Sequence, residues 1–180
     1  MSEQLRSSDH EDGKRTPVDG WTGRCLEDFS IGDVYRHRLG RTVTTTDNLW
    51  FTLLTLNTNS LHFDHHYAAQ TEWERPLVNS CFILALVTGM SVSDVSQNAV
   101  ANLGWDNVKL PHPVFEGDTI YAETEVLGVR PSGSRPHVGI VRIRTRGFNQ
   151  DGTTVIDFER SIMVYRRRHL PQPPRPVARS

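Results

Sequence analysis

The fold is decided by residues 78–90, which read VNSCFILALVTGM. This stretch follows Pro76, and either Asn79 or Ser80 can cap a helix that begins there. The centre of the helix is apolar on every side, so the helix has no polar face to present to water. We therefore expect a central helix that other structure wraps on most of its sides.

The second half of the chain shows the two-residue period of β-strands. Four segments have strand character and are separated by turn signals: residues 100–110, 119–130, 137–149 and 153–167. In the third segment Val141, Ile143 and Thr145 alternate with arginines, which predicts one buried and one wet face. Residues 149–152, NQDG, predict a tight hairpin turn.

The first half adds one more strand and two shorter helices. Residues 34–44 have strand character, Thr46 or Asp47 can cap a helix through residues 49–54, and a short helix is predicted over residues 63–70. One wholly apolar helix and about five long antiparallel strands predict an α+β fold, in which a curved sheet wraps the central helix. That arrangement is the hotdog fold.

Length and composition predict one domain and exclude several classes of protein. A chain of 180 residues suits one domain over residues 28–168, between an N-terminal arm (residues 1–27), mobile or draped over the body, and a proline-rich tail (residues 169–180). The net charge of −1 does not favour a nucleic-acid partner. Two distant cysteines, Cys25 and Cys81, and no apolar run long enough for a bilayer indicate a cytoplasmic protein without disulfides or a membrane segment.

The stretch that points to function is residues 56–64, LNTNSLHFD. It places His62 five positions after Asn57 and two positions before Asp64, within an apolar run. Burying such polar groups is costly unless they bind one another or a ligand. On spacing alone, a capped helix start with a structural histidine explains the pattern better than a catalytic site does.

Five segments together resemble the MaoC-like members of the hotdog superfamily, which are related to the R-specific enoyl-CoA hydratases. These segments are residues 29–33, 41–47, 57–68, 113–119 and 149–152, and they occur in the family's order. Residues 57–68 resemble the hydratase motif, Asp-x-Asn-Pro-Leu-His-x-Asp, with His62 at the motif's histidine. The resemblance extends over residues 28–166 and implies the same fold that the periodicity predicts.

A narrower resemblance concerns residues 75–80, 91–99 and 102–105. They are similar to the branch that hydrates short branched dicarboxylic acyl-CoA thioesters, such as mesaconyl-CoA and itaconyl-CoA. The resemblance implies a hydro-lyase that acts on a C5 dicarboxylyl enoyl-CoA without a metal or redox cofactor. It also implies a homodimer, or a larger assembly of dimers, with a continuous sheet and a CoA groove between subunits.

One position departs from the family motif. The motif's aspartate is Asn57 here, and an amide can orient water but is not a useful proton acceptor. Three accounts stay open. In the first, His62 does the acid–base work alone while Asn57 holds the water. In the second, Asp64 or Asp47 replaces the missing carboxylate. In the third, activity is lost and the chain is an acyl-CoA-binding partner subunit.

The other candidate residues lie near the start of the central helix and among the arginines. Backbone N–H groups near Ser80 and Cys81 open that helix, where the dipole favours a negatively charged enolate oxygen. The resemblance aligns Asn79-Ser80 with the family's His-Gly pair, although both side chains also serve as plain caps. Arg75 and Arg41 are candidates for a distal carboxylate, because a guanidinium binds a carboxylate through two hydrogen bonds.

Two alternatives complete the sequence-based prediction. His65 and His66 lie beside His62, but adjacent residues of a helix point apart, so no metal site is predicted. The alternative enzyme is a hotdog acyl-CoA thioesterase, in which water attacks the thioester carbonyl. The start of the central helix would serve that reaction equally well.

Overall fold

A computed structural model describes residues 18–172 and 174. The helices are α1 (Thr45–Leu54), α2 (His65–Ala68) and α3 (Ser80–Met90), and the strands are β1 (Val34–Arg36), β2 (Arg41–Thr42), β3 (Ala99–Lys109), β4 (Thr119–Pro131), β5 (Val138–Phe148) and β6 (Thr154–Tyr165). Short 3-10 turns cover Leu26–Asp28, Ser60–His62 and Arg167–His169, and a π turn covers Val92–Ser96. The predictions for residues 1–17 of the arm and for residues 173 and 175–180 of the tail lie outside the described residues.

The strands form one antiparallel sheet in the order β1-β4-β5-β6-β3, and β2 also pairs with β4. The four long strands begin and end within two residues of their predicted bounds. The strand predicted over residues 34–44 is instead two short strands. Between them the buried His37 bonds through Nδ1 to Asp94 Oδ2 at 2.9 Å and through Nε2 to Thr124 Oγ1 at 2.8 Å. The backbone N–H of His37 still donates to the carbonyl of Ala122 in β4 at 3.0 Å, so regular pairing is interrupted only over residues 38–40.

Helix α3 packs on the sheet and organises the core, as the sequence predicts. Its N-cap is Asn79, and Ile83 and Val87 are buried in one cluster with Ile156 and Phe158 of β6. Burying side chains of this size stabilises a fold by roughly 1.5–3 kcal/mol each. Across residues 18–172, no helix combines the length and the apolar character needed to cross a bilayer.

One face of α3 stays open in a single chain. Cys81, Ala85 and Gly89 are spaced four residues apart, so they share this face, and all three are exposed. The expectation that other structure wraps α3 on most of its sides is therefore only partly met within one chain. At the edge of the sheet, β3 likewise exposes Leu103 and Trp105.

The other face of the sheet carries paired charges. The alternation predicted for β5 is confirmed, because Ile143 and Thr145 are fully buried while the arginines between them face outward. Each outward arginine pairs with an acidic residue of a neighbouring strand. The pairs are Arg142–Glu159, Arg144–Asp157 and Arg146–Glu123.

The described end of the N-terminal arm is draped over the body. Trp21 Nε1 donates a hydrogen bond to the carbonyl of Ser93 at 2.8 Å. Cys25 and Leu26 are buried, and Asn98 Nδ2 donates to the carbonyl of Arg24 at 3.2 Å. The arm thus covers the end of the core that lies beyond the C-terminus of α3.

Candidate active site

His62 ends the 3-10 turn Ser60–His62 and is only 8% exposed. Its Nδ1 lies 2.8 Å from the backbone carbonyl oxygen of Leu77. A carbonyl can only accept a hydrogen bond, so Nδ1 carries the proton of the neutral ring. The lone pair of a neutral His62 is therefore on Nε2, the nitrogen that can accept a proton from water.

A buried amide holds the two segments that flank this histidine. Asn48 of α1 is fully buried, and its Nδ2 donates to the carbonyls of His62 at 2.8 Å and Leu77 at 3.2 Å. Its Oδ1 accepts from the backbone N–H of Asn79 at 3.0 Å. One side chain thus fixes the histidine, the carbonyl that sets the histidine's tautomer, and the residue that caps α3.

The sequence analysis did not single out Asn48, nor Thr52 one turn later. Both are fully buried, whereas Trp50 and Leu54 on the same helix are 68% and 76% exposed. In a single chain, α1 therefore turns Asn48 and Thr52 inward and two of its large apolar side chains outward. Asn48 and Thr52 are a polar pair at positions i and i+4 among the apolar residues of the last two turns, and this pair was the signal available in the sequence.

The first turn of α3 is organised by its cap. Asn79 Oδ1 accepts from the backbone N–H of Cys81 at 3.0 Å, and Asn79 Nδ2 donates to Thr52 Oγ1 at 3.1 Å. The cap therefore occupies the Cys81 N–H, which the sequence analysis had counted among the oxyanion donors. The N–H of Ser80 bonds to no described residue, and Ser80 is exposed. Ser80 is thus the better donor for an oxyanion at this helix start.

Asn57 lies in the loop that leads into the histidine turn and is partly buried. Its Oδ1 accepts from the backbone N–H of Asn59 at 3.0 Å. This bond orients the amide, so that Nδ2 is the atom left to meet a ligand. A water that accepts from Nδ2 would keep both of its own hydrogens free for a base.

The two carboxylates considered as replacements are placed in helix caps. Asp64 is exposed, and its Oδ1 accepts from the backbone N–H of Tyr67 at 2.9 Å, which caps α2. Asp47 belongs to the capping box of α1 with Thr44. Arg41 binds Asp47 through two hydrogen bonds of 2.7 and 2.8 Å and holds the pKa of that carboxyl well below its usual range. So weak a base is unsuited to taking a proton from water.

The same contacts bear on the two arginine candidates. The guanidinium of Arg41 already carries the bidentate pair with Asp47. The guanidinium of Arg75 lies 3.8 Å from the centre of the Phe115 ring, a cation–π contact. Neither arginine lines the cavity beside Ser80 described below.

Replacing Asp47 with Asn should reduce stability at neutral pH by about 1 kcal/mol, because the ion pair with Arg41 and a negative charge in the first turn of α1 are lost. The pKa of Asp47 is lowered by folding, so its contribution is present above the ordinary carboxyl pKa of about 4 and is lost as the pH falls further. Urea unfolding of wild type and Asp47→Asn at pH 7 and pH 3 measures both effects. The exposed Glu72→Gln is the matched control, and a constant difference between wild type and Asp47→Asn at both pH values would contradict the prediction.

Two cavities lie along α3, and His62 and Asn57 line neither of them. A cavity of about 240 Å³ lies beside the start of α3, and its walls include Leu77, Ser80, Trp73 and His112. A larger groove of about 1020 Å³ runs along the C-terminal half of α3. Its lining contains three arginines, which are Arg24, Arg38 and Arg41. Within residues 18–172, no three or more His, Cys, Asp or Glu side chains are grouped to hold a metal ion.

The sheet wrapped on α3, with a histidine turn at the helix start, defines a hotdog protein of the MaoC-like type. A MaoC domain protein dehydratase from Chloroflexus aurantiacus has the same fold, with a TM-score of 0.79 and 29% identity. That match covers 91% of this chain and 46% of the other. The prediction of a hotdog fold is thereby confirmed.

The chain belongs to the mesaconyl-CoA hydratase family, because the model of that family matches residues 16–172. It is 34% identical over 155 residues to the mesaconyl-CoA hydratase of Cereibacter sphaeroides. That alignment covers 86% of this chain and 45% of the relative. A conserved hypothetical protein of Mycobacterium tuberculosis, described as having a double hotdog fold, matches with a TM-score of 0.73 and 25% identity. The match covers 81% of this chain and 45% of the other chain. The chain thus spans about half the length of the mesaconyl-CoA hydratase relatives that it matches.

Proposed function

We propose that this protein adds water to the double bond of a short enoyl-CoA thioester, and also catalyses the reverse reaction. We further propose that the acyl chain is a branched C5 dicarboxylyl group of the mesaconyl or itaconyl type. The observation that carries the proposal is the bond from His62 Nδ1 to the carbonyl of Leu77, which leaves Nε2 as a base close to the start of α3. The membership in the mesaconyl-CoA hydratase family supports the substrate class.

The reaction follows from these groups. His62 Nε2 accepts a proton from a water molecule as the water oxygen bonds to the β carbon. The electron pair of the double bond moves toward the thioester carbonyl, and the resulting enolate oxygen accepts a hydrogen bond from the N–H of Ser80. The imidazolium then returns its proton to the α carbon. The sum is the addition of one water, and the protein ends in its original protonation state without a metal or redox cofactor.

Asn57 completes this scheme as the group that orients the water. Its Oδ1 is occupied by the N–H of Asn59, so Nδ2 donates to the water oxygen while one water hydrogen points to His62. This is the first of the three accounts drawn from the sequence. The capping contacts of Asp64 and Asp47 favour it over the second account, in which one of these carboxylates is the base.

We propose that CoA lies along α3 and that two hotdog units form the complete site. The groove beside the C-terminal half of α3 offers Arg38 to the phosphates of CoA, whereas Arg24 and Arg41 in the same lining are paired with Asp94 and Asp47. The open face of α3 and the apolar edge strand β3 suit a second copy of the chain, as in the predicted homodimer. The double length of the mesaconyl-CoA hydratase relatives supports a requirement for two such units.

The function is tested by mixing the protein with mesaconyl-CoA and with crotonyl-CoA. We expect the enoyl-thioester absorbance to fall without release of free thiol. Thiol release with the double bond intact would show a thioesterase instead, and no reaction with either thioester would support an inactive partner subunit. Asn57→Asp separates the accounts further, since a large gain of activity would mean that the amide is a deficit and not the group that orients water.

A further inference from the structure

We propose that His112 selects the dicarboxylyl acyl chain by binding its distal carboxylate in the cavity beside α3. The inference rests on the proposed function and adds to it a residue that recognises the substrate. His112 lies in the loop between β3 and β4, far in sequence from every residue assigned to the site above.

The cavity shares two wall residues, Leu77 and Ser80, with the surroundings of the candidate active site. Its volume of about 240 Å³ is below the roughly 300–1,000 Å³ of pockets that hold drug-sized ligands, so it suits a short acyl chain. Leu77, whose carbonyl binds His62, belongs to its walls. Ser80, whose N–H is the proposed oxyanion donor, belongs to them as well. An acyl chain whose thioester carbonyl reaches Ser80 therefore has this cavity next to it.

The walls of the cavity are apolar except at two positions. Apart from Ser80 and His112, the lining consists of Trp73, Leu77, Val78, Ile83, Leu110, Pro111, Pro113 and Val114. Among these described lining residues, His112 alone has an ionisable side chain. His112 is exposed, so a carboxylate beside its imidazole keeps part of its hydration, whereas a carboxylate placed among the apolar walls pays a desolvation penalty. The cavity therefore favours a chain whose carboxylate ends at the imidazole.

The ring of His112 is held in one orientation. Its Nδ1 lies 2.8 Å from the carbonyl oxygen of Thr154, so Nδ1 carries a proton and Nε2 is the nitrogen left for a ligand. Pro111 and Pro113 restrict the backbone on both sides of the histidine. In the imidazolium form, Nε2–H donates a charge-assisted hydrogen bond to a carboxylate. Arg41 and Arg75 are less suitable, because Arg41 is paired with Asp47 and Arg75 lies on the Phe115 ring.

The test compares wild type with His112→Ala and His112→Gln on mesaconyl-CoA and crotonyl-CoA. Hydrogen bonds to charged groups contribute about 1.5–3 kcal/mol, so the ratio of kcat/KM for mesaconyl-CoA to that for crotonyl-CoA should fall roughly 10- to 100-fold in His112→Ala. His112→Gln keeps a hydrogen-bond donor without the charge, so its ratio of kcat/KM values should lie between those of wild type and His112→Ala. His65→Ala, which alters an exposed histidine on α2, is the matched control. An unchanged ratio in His112→Ala would overturn the inference while the hydratase proposal stands.

A binding measurement makes the inference independent of turnover. Methylsuccinyl-CoA and butyryl-CoA are saturated, so neither can be hydrated, and only the first has a distal carboxylate. Calorimetry should show that wild type prefers methylsuccinyl-CoA and that His112→Ala loses this preference. If wild type binds both thioesters equally, the role of His112 is refuted even where hydration is observed. If the preference depends on His112 but no hydration occurs, the carboxylate site stands and the proposed reaction fails.

Discussion

His62→Ala should lower the rate of enoyl-CoA hydration by roughly 10²- to 10⁴-fold, the usual contribution of a positioned acid–base group. The structure leaves no other described group in the same position, since Asp64 and Asp47 serve as helix caps and Asn57 cannot accept a proton usefully. The loss should appear mainly in kcat, because the ring acts on the water and the α carbon. Steady-state kinetics on mesaconyl-CoA and crotonyl-CoA measure it.

His66→Ala is the matched control for this prediction, because His66 is exposed on α2. Wild type and both variants should have nearly equal circular dichroism spectra, which would exclude misfolding as the cause of the loss. A His62→Ala protein that hydrates either thioester at the wild-type rate would eliminate the mechanism proposed for this site.

The second large effect is expected at Asn48. Asn48→Ala should lower the free energy of unfolding by about 2–4 kcal/mol, because the carbonyl of His62 and the N–H of Asn79 would both lose their partner in a buried site. The carbonyl of Leu77 would keep only its bond to the imidazole. Urea unfolding measures the loss, and Gln70→Ala, which removes an exposed amide, is the control.

Activity separates positioning from stability at Asn48. We expect the folded Asn48→Ala protein to have a reduced kcat when it is assayed well below its unfolding temperature. The reason is that Asn48 no longer fixes the positions of His62 and Ser80 relative to each other. Asn48→Asp keeps the acceptor for Asn79 but sets a carboxylate oxygen against two carbonyls, so it should not restore activity. A folded Asn48→Ala enzyme with wild-type kcat and pH profile would show that the residue only stabilises the fold.

The sequence predicts best those parts of the molecule in which apolar residues follow a clear pattern. The apolar run of α3 and the alternation at Ile143 and Thr145 each leave one way to bury apolar surface, so helix, strands and hotdog fold follow. The Asn79 cap was predictable for a similar reason, since its side chain acts on a residue two positions away. Local patterns of this kind do not depend on the rest of the chain.

The parts that the sequence does not predict depend on contacts between distant segments. Asn48 and Leu77 lie 29 positions apart, and no period in the sequence connects them. Helix α1 misleads in another way, because its apolar residues recur at helical spacing although Trp50 and Leu54 face outward in a single chain. His112 has a similar character, because only the folded chain brings its loop beside Ser80.

The ion pairs on the outer face of the sheet have a consequence for how copies of this protein assemble. Arg144 and its neighbours alternate with acidic residues across three strands, so two such faces that stack would have to strip water from every pair. Growth into layers is therefore disfavoured on that side. In the dimer proposed above, contact would therefore be directed to the edge strand β3 and the opposite side of the molecule, where a twofold arrangement buries the exposed apolar surface and leaves none for further copies.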